Sequence, residues 1–168
     1  GLGALLSDGL YLFYWFYLSW KHLKEETGRG GSPFWHAFGA GLPVLNLYIT
    51  YVHLKAIREL AASLGVETGL GPLRGVVLVG LGNLAWLTGT LLSTGSLGKA
   101  VVLDLLGVTL FAYLMVWGQS TLNRCWAKKY GERLREAPVG RGEVLTVLLG
   151  LWSWVLYWLM WRGLLPGA

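Results

Sequence analysis

Long blocks of apolar residues alternate along this chain with short segments that hold most of its charge. Five such blocks are recognisable, covering roughly residues 1–20, 34–54, 75–94, 100–118 and 144–161. A helix rises about 1.5 Å per residue, so each block covers most of a hydrocarbon core about 30 Å thick. The pattern predicts an all-α protein, a polytopic bundle of membrane helices that forms a single domain over residues 1–168.

The second block contains residues that disfavour a straight helix. Its sequence, FWHAFGAGLPVLNLYITYVHL, has Gly39, Gly41 and Pro43 near the middle. Glycine is conformationally free, and proline lacks the backbone N–H that a continuous helix uses. We therefore predict a helix over 34–63 that is broken at 39–43. Such a segment either returns to the side it entered, lies along the membrane surface or spans the membrane.

The distribution of Lys and Arg distinguishes these arrangements. If residues 34–54 cross the membrane, the 14 basic residues divide into five and nine; if they return, twelve share one side and only Lys99 and Arg162 face the other. Short cytoplasmic loops retain positive charge. The count predicts four transmembrane helices plus one re-entrant or interfacial broken helix, with the major loops in the cytoplasm and both termini outside. The predicted spanning helices cover about 1–20, 75–94, 100–118 with an extension to about 136, and 144–161.

Composition supports a membrane protein. Hydrophobic residues make up 54% of the chain and charged residues 14%, compared with about 25% charged residues in soluble proteins. The net charge of +5 lies beside apolar blocks, so we attribute it to topology and predict no nucleic-acid partner. The lone cysteine, Cys125, excludes an intrachain disulfide. Because the chain starts with Gly rather than Met, we expect further residues before it.

Small residues recur on one side of the third block. Gly75, Gly82, Ala85 and Gly89 form a seam, with Gly71 in line before them. Small side chains let helix backbones approach closely within a membrane. We predict that this seam packs against another helix, and that the helices at 75–94 and 100–118 form an antiparallel hairpin.

Polar residues within apolar blocks mark a candidate pathway or pocket. Its predicted members are Asp8, Asn46, Thr50, His53, Asn83 and Asp104. The three on the second block lie at positions i, i+4 and i+7, which places them on one helix face. Ionisable residues at membrane depth are functional candidates, for example as a cation or proton site. The alternative is that each aspartate lies near a helix end, paired with Lys99 or reached by water.

Catalytic and cofactor motifs are absent from the sequence. His22, His36 and His53 would lie towards the cytoplasmic surface, but none has the spacing of a metal ligand pair such as HxxxH. GLGNLA at 80–85 resembles a dinucleotide fingerprint, yet no strand precedes it. We predict no catalytic residue, no metal and no cofactor.

A basic segment follows the fourth block. It holds Arg124, Lys128, Lys129, Arg133, Arg135 and Arg141, with Trp126 and Tyr130 between them. Anionic lipid headgroups attract basic segments at a helix end. We predict that the first five of these residues contact anionic lipid; simple retention of the loop in the cytoplasm explains the same charges. The aromatic rings Tyr14, Trp15 and Tyr17 of the first block are predicted to anchor it at the membrane interface.

The run SDGLYLFYWFY resembles the start of an uncharacterised family of small bacterial multi-pass membrane proteins, a domain of unknown function with a GxYxxYWxY pattern in the first helix. Gly9, Tyr11, Tyr14, Trp15 and Tyr17 carry the match, and SPFWHAF at 32–38 and TLNRCW at 121–126 are also similar. The resemblance implies a bacterial inner (cytoplasmic) membrane and several helices. It implies no catalytic residue.

These observations lead to three functional hypotheses. The first is a non-enzymatic accessory or assembly protein that packs with itself as a homo-oligomer, or with a larger membrane complex, through its glycine seam. The second is a small transporter or channel that uses the broken 34–54 element. The third is an enzyme acting on lipid, with His36 or His53 as general base.

Overall fold

The computed structural model describes residues 10–92, 95–131 and 141–162, and in these it consists of helices without strands. We number the helices α1 to α6 in chain order. They are α1 Leu10–Thr27, α2 Pro33–Ala40, α3 Leu45–Ser63, α4 Pro72–Leu92, α5 Leu97–Tyr130 and α6 Arg141–Trp161. The all-α prediction is confirmed for this part of the chain.

Two of the described helices are long and apolar enough to cross a membrane, instead of the four predicted. They are α4 and the part of α5 from Gly98 to Tyr130. The described part of α1 is too polar because its second half carries Lys21, Lys24 and two glutamates; residues 1–9 lie outside the described residues. The apolar part of α6, Val144–Leu156, is shorter than a full span.

Glycines with positive φ follow two of the helices. The first, α1, continues to Thr27, past its predicted end at about residue 20, and Gly28 (φ 65°) follows it. Gly28 donates its backbone N–H to the carbonyl of Lys24, which closes the last turn. Similarly, α5 ends at Tyr130, before Gly131 (φ 55°). Residues 132–136 of the predicted extension lie outside the described residues.

The predicted break in the second block is present, shifted by two residues. Residues 41–44 form the turn between α2 and α3. Gly39 remains helical and faces Leu45 and Ile49 of α3, where a Cβ atom would lie within 3.1–3.3 Å of their side chains. Gly41 lies against the ring of Phe13 on α1. The two glycines therefore allow α2 to pack closely against both α3 and α1.

Helices α2 and α3 form a hairpin. Its two open ends, the start of α2 and the end of α3, lie at the same end of the bundle. There, Arg29 pairs with Glu59, and Lys128 near the end of α5 donates to the carbonyl of Gly65, 3.1 Å away. At the other end of the hairpin, Asn83 donates to the carbonyl of Pro43, 2.8 Å away. Because Asn83 lies near the middle of α4, the hairpin reaches about halfway along that helix.

The glycine seam of α4 is covered by other helices of the same chain. A Cβ atom at Gly75 would lie 2.0 Å from Leu54 of α3, and one at Gly89 would lie 3.0 Å from the carbonyl oxygen of Ala100 on α5. Gly82 faces Phe111 and Gly107 of α5. Ala85 is half-buried, and Gly71 faces open space. The contacts show that α4 and α5 form the predicted antiparallel hairpin, and that α3 covers the first turn of the seam.

The aromatic rings of α1 differ in how far they are exposed. Trp15 is buried, and its Nε1 donates to Oε1 of Gln119 on α5 at 2.8 Å. Tyr17 is exposed, and Tyr14 is half-buried. Trp15 therefore joins two helices instead of anchoring the first at an interface, because its one polar atom has a partner inside the protein.

Leucine in place of Gly107 should destabilise the fold. A Cβ atom there would lie 3.0 Å from the backbone oxygen of Gly82, and a backbone atom cannot rotate away as a side chain does. Overpacking of this kind costs about 1–3 kcal/mol. We expect Gly107→Leu to lower the thermal unfolding midpoint of the detergent-solubilised protein, measured by tryptophan fluorescence. Gly98→Leu, on the same helix with open space around it, is the control; equal midpoints for the two variants would contradict the close approach of α4 and α5.

Candidate functional site

A cavity of about 280 Å³ lies where the hairpin turn meets α1, α4 and α5. Four polar side chains line it: Asn46, Thr50, Asn83 and Asp104. All four belong to the candidate pocket predicted from the sequence. They come from three helices, and the hairpin turn brings them together.

A reciprocal amide pair forms one wall of this cavity. Nδ2 of Asn46 donates to Oδ1 of Asn83 at 2.9 Å, and Nδ2 of Asn83 donates in return at 3.0 Å. The same Nδ2 of Asn83 also donates to the carbonyl of Pro43. The pair satisfies polar groups in an apolar environment and at the same time fixes the hairpin turn against α4.

Among the residues that the structure describes, Asp104 is the only carboxylate that lines the cavity. It is half-buried on α5, and no described residue forms an ion pair with it. Lys99, the cation suggested by the sequence, is exposed. Five residues correspond to about 140° around a helix with 3.6 residues per turn, so the two side chains leave α5 on different faces. Asp104 thus presents an unneutralised acceptor to the cavity.

Aromatic rings form much of the remaining wall. Phe13 and Phe16 come from α1, Trp86 from α4 and Phe111 from α5. Phe13 and Trp86 are also partly exposed on the surface of the bundle, at 42% and 48%. The cavity therefore combines one acidic group with several ring faces.

His53, the remaining described member of the predicted pocket, does not line the cavity. It lies one turn beyond Thr50, fully buried, within a chain of hydrogen bonds that joins three helices. Its Nδ1 lies 2.9 Å from Nε2 of His36 on α2, and its Nε2 lies 3.1 Å from Oγ of Ser19 on α1. This chain ties both helices of the hairpin to α1.

The hydroxyl proton of Ser19 determines which atom donates in each hydrogen bond of this chain. Ser19 Oγ donates to the carbonyl of Trp15 at 2.5 Å, so it must accept from Nε2 of His53. Nδ1 of His53 is then an acceptor, and Nε2 of His36 donates to it. Ser19 was not among the predicted site residues, because no local pattern pairs a helical serine with a histidine 34 residues away.

The two histidines of this hydrogen-bonded chain, His36 and His53, are enclosed by rings and neutral. Trp20 stacks on His36 with 3.8 Å between ring centroids, and the Phe16 ring lies edge-on to His53 at 4.9 Å. Burial lowers the pKa of His36 to about 4. Burial, with a smaller contribution from His36, also lowers the pKa of His53. Neutral imidazoles match the donor and acceptor roles that the hydrogen bonds require.

The predicted lipid contacts divide into separate groups. Lys129 pairs with Glu26 of α1, and Lys128 donates to Gly65; both make contacts within the chain. Arg124 is exposed and lines a groove between α1, α5 and α6. Arg133, Arg135 and Asp8 lie outside the described residues.

Metal ligands do not gather in the described residues: no group of three or more His, Cys, Asp or Glu is placed to hold an ion there. The chain matches no family model, no curated protein and no solved structure. The resemblance to a bacterial membrane family is therefore still a prediction.

The buried histidines should make the protein less stable in acid. Well above pH 6.5 they are neutral in both the folded and the unfolded state, so they add little pH dependence there. As pH falls from 6.5 towards 4, the unfolded chain binds protons that the folded protein excludes. Each histidine then lowers the free energy of unfolding by up to about 1.4 kcal/mol per pH unit. We expect the unfolding midpoint to fall between pH 7.5 and pH 5, and to fall less in the His36→Gln/His53→Gln variant. His22→Gln, an exposed control, should keep the full pH dependence; an unchanged slope in the double variant would rule out the assignment.

Proposed function

We propose that this chain is an integral membrane protein in which α4 and α5 cross the bilayer and the α2–α3 hairpin re-enters it from the cytoplasmic side. The open ends of the hairpin share one end of the bundle with Lys128 and Lys129, where most basic side chains of the chain belong under this arrangement. Positive charge is retained in the cytoplasm. The broken backbone at the tip has protein partners, as irregular backbone at membrane depth requires.

Cysteine labelling tests this topology. In a Cys125→Ala background, we expect Gly30→Cys and Glu67→Cys to react with a membrane-impermeant maleimide from the same face of inside-out vesicles. Gly98→Cys, in the first turn of α5 next to the connection from α4, should react from the opposite face. All three positions are exposed. Labelling of positions 30 and 67 from opposite faces would mean that the hairpin spans the membrane.

We propose further that the cavity at the hairpin tip binds a small organic cation and that the protein transports it. The single observation that carries this proposal is that Asp104, without an ion-pair partner among the described residues, shares the cavity with several aromatic rings. A carboxylate attracts a cation, and ring faces stabilise it further when water is excluded. The cavity is close to the lower end of the size range of ligand pockets, about 300–1000 Å³.

The other polar groups of the cavity argue against a bare metal ion. Hard cations require several oxygen ligands, but Oδ1 of Asn46 and Oδ1 of Asn83 accept each other's N–H groups. One free carboxylate among rings suits an organic ammonium better. The position of the cavity near the middle of α4, at a break in a helix, is also where many transporters place their substrate.

This geometry favours transport over the two other hypotheses. A partner protein was expected to bind the glycine seam, but Leu54, Phe111 and backbone atoms of α5 already cover its buried glycines. A lipid-acting enzyme was expected to use His36 or His53 as its general base. Both imidazoles are buried and hydrogen-bond within the protein, His36 to His53 and His53 to Ser19, which suits structural hydrogen bonds that hold the hairpin.

Replacement of Asp104 tests the transport proposal. We expect wild-type proteoliposomes to take up radiolabelled tetramethylammonium, and Asp104→Asn to reduce uptake and binding by at least about tenfold, a modest loss for a charge contact in a partly buried site. Glu67→Gln is the matched control, an exposed carboxylate outside the cavity. Equal uptake by wild type and Asp104→Asn, with both proteins folded, would reject the cavity as a cation site.

A further inference from the structure

A second, larger recess lies where α1 faces α5 and α6. It is a groove of about 1110 Å³ between α1, α5 and α6, and it is separate from the cation cavity. Side chains from all three helices contribute to its lining, with Val144, Val147 and Leu148 from α6. Nothing in the transport proposal uses this groove.

The charged group of the groove lies at one end of its lining. The end that carries the basic residues is formed by His22 of α1 and by Asn123, Arg124 and Trp126 of α5. Further in, the apolar side chains of Leu18, Met115 and Val116 line the groove together with the uncharged polar side chains of Ser19, Gln119 and Ser120. A phospholipid in the cytoplasmic leaflet has the same order, with its charged headgroup at the surface and its acyl chains below.

The length of the groove also fits one leaflet. On α1 the lining runs from Tyr11 to His22, which corresponds to about 16 Å at 1.5 Å per residue. Half of a hydrocarbon core is about 15 Å thick. A small soluble anion would occupy only the polar end and would leave the apolar part empty.

Arg124 supplies the charge for a headgroup. Its Nη2 donates to Thr121 Oγ1 at 3.3 Å, and no described carboxylate pairs with it. A guanidinium group has five N–H donors, so most remain available to a phosphate. By contrast, Lys129 is neutralised by Glu26, and Lys128 donates to a backbone carbonyl.

We infer that this groove is a binding site for one anionic phospholipid, with the headgroup phosphate on Arg124 and an acyl chain between α1, α5 and α6. Basic pockets between membrane helices suit such headgroups. The inference does not depend on cation transport, because the two recesses share no lining residue.

Native mass spectrometry of the detergent-solubilised protein tests this site with dioleoylphosphatidylglycerol and, as the zwitterionic probe, dioleoylphosphatidylcholine. We expect wild type to prefer the anionic lipid by about tenfold, as one charge-assisted contact allows. Arg124→Gln should remove this preference. Arg58→Gln, an exposed arginine on α3 outside the groove, is the matched control and should keep it.

A second variant tests the apolar part. Ser120→Trp places a large ring in the groove from an exposed position and should reduce binding of both lipids, while millimolar inorganic phosphate should displace neither from wild type. Retained preference in folded Arg124→Gln would overturn the headgroup assignment. Undiminished lipid binding by Ser120→Trp, or displacement by phosphate, would overturn the acyl-chain site. Asp104→Asn should bind both lipids as wild type does, whatever its effect on uptake.

Discussion

The arrangement of this protein depends on how the backbone is satisfied where the second apolar block turns. A turn at residues 41–44 interrupts the hydrogen bonding of a helix and leaves carbonyl groups without helical partners. Asn83 donates to the carbonyl of Pro43 and pairs with Asn46 through both the nitrogen and the oxygen of its side-chain amide. The side chain of Asn83 thus provides a donor for one carbonyl of the turn, orients the start of α3 and forms part of one wall of the cavity. Loss of this contact would leave polar groups unpaired in an apolar setting, which is costly.

The two polar clusters of the bundle have different physical character. In the chain from Ser19 to His36, each donor has an acceptor, rings enclose the histidines, and the result is a rigid link between α1 and the hairpin. At the cavity, the amides are paired, but Asp104 has no counter-charge among the described residues. A fully satisfied network stabilises a structure, whereas an acceptor left unneutralised beside a cavity is available to a ligand.

The glycines of α4 and α5 explain how the polar groups come within reach of one another. Gly82 and Gly107 bring the two backbones together, and Gly75 makes room for Leu54 of α3. Larger residues at these points would push α3 and α5 away from α4. The amides of Asn46 and Asn83 would then lose contact, and the cavity would lose its shape. The seam therefore serves the interior of this chain, although its composition is equally typical of contacts between separate chains.

Residue types and their near neighbours along the sequence predicted the helices, the break in the second block and the polar residues of the cavity. Apolar blocks predicted helices, Gly39, Gly41 and Pro43 predicted a break within two residues of the observed turn, and the depth of Asn46, Thr50, Asn83 and Asp104 in apolar blocks marked them as candidates. These inferences hold because helix breaking and the cost of burying polar groups depend on residue type and near neighbours. Only the tertiary structure decided which polar groups meet: that Ser19 accepts from His53, that Trp15 bonds Gln119 instead of facing an interface, and that Lys129 is neutralised by Glu26. Such pairs join residues 34 to 104 positions apart, and their partners are set by the packing angles and depths of whole helices, which no local pattern encodes.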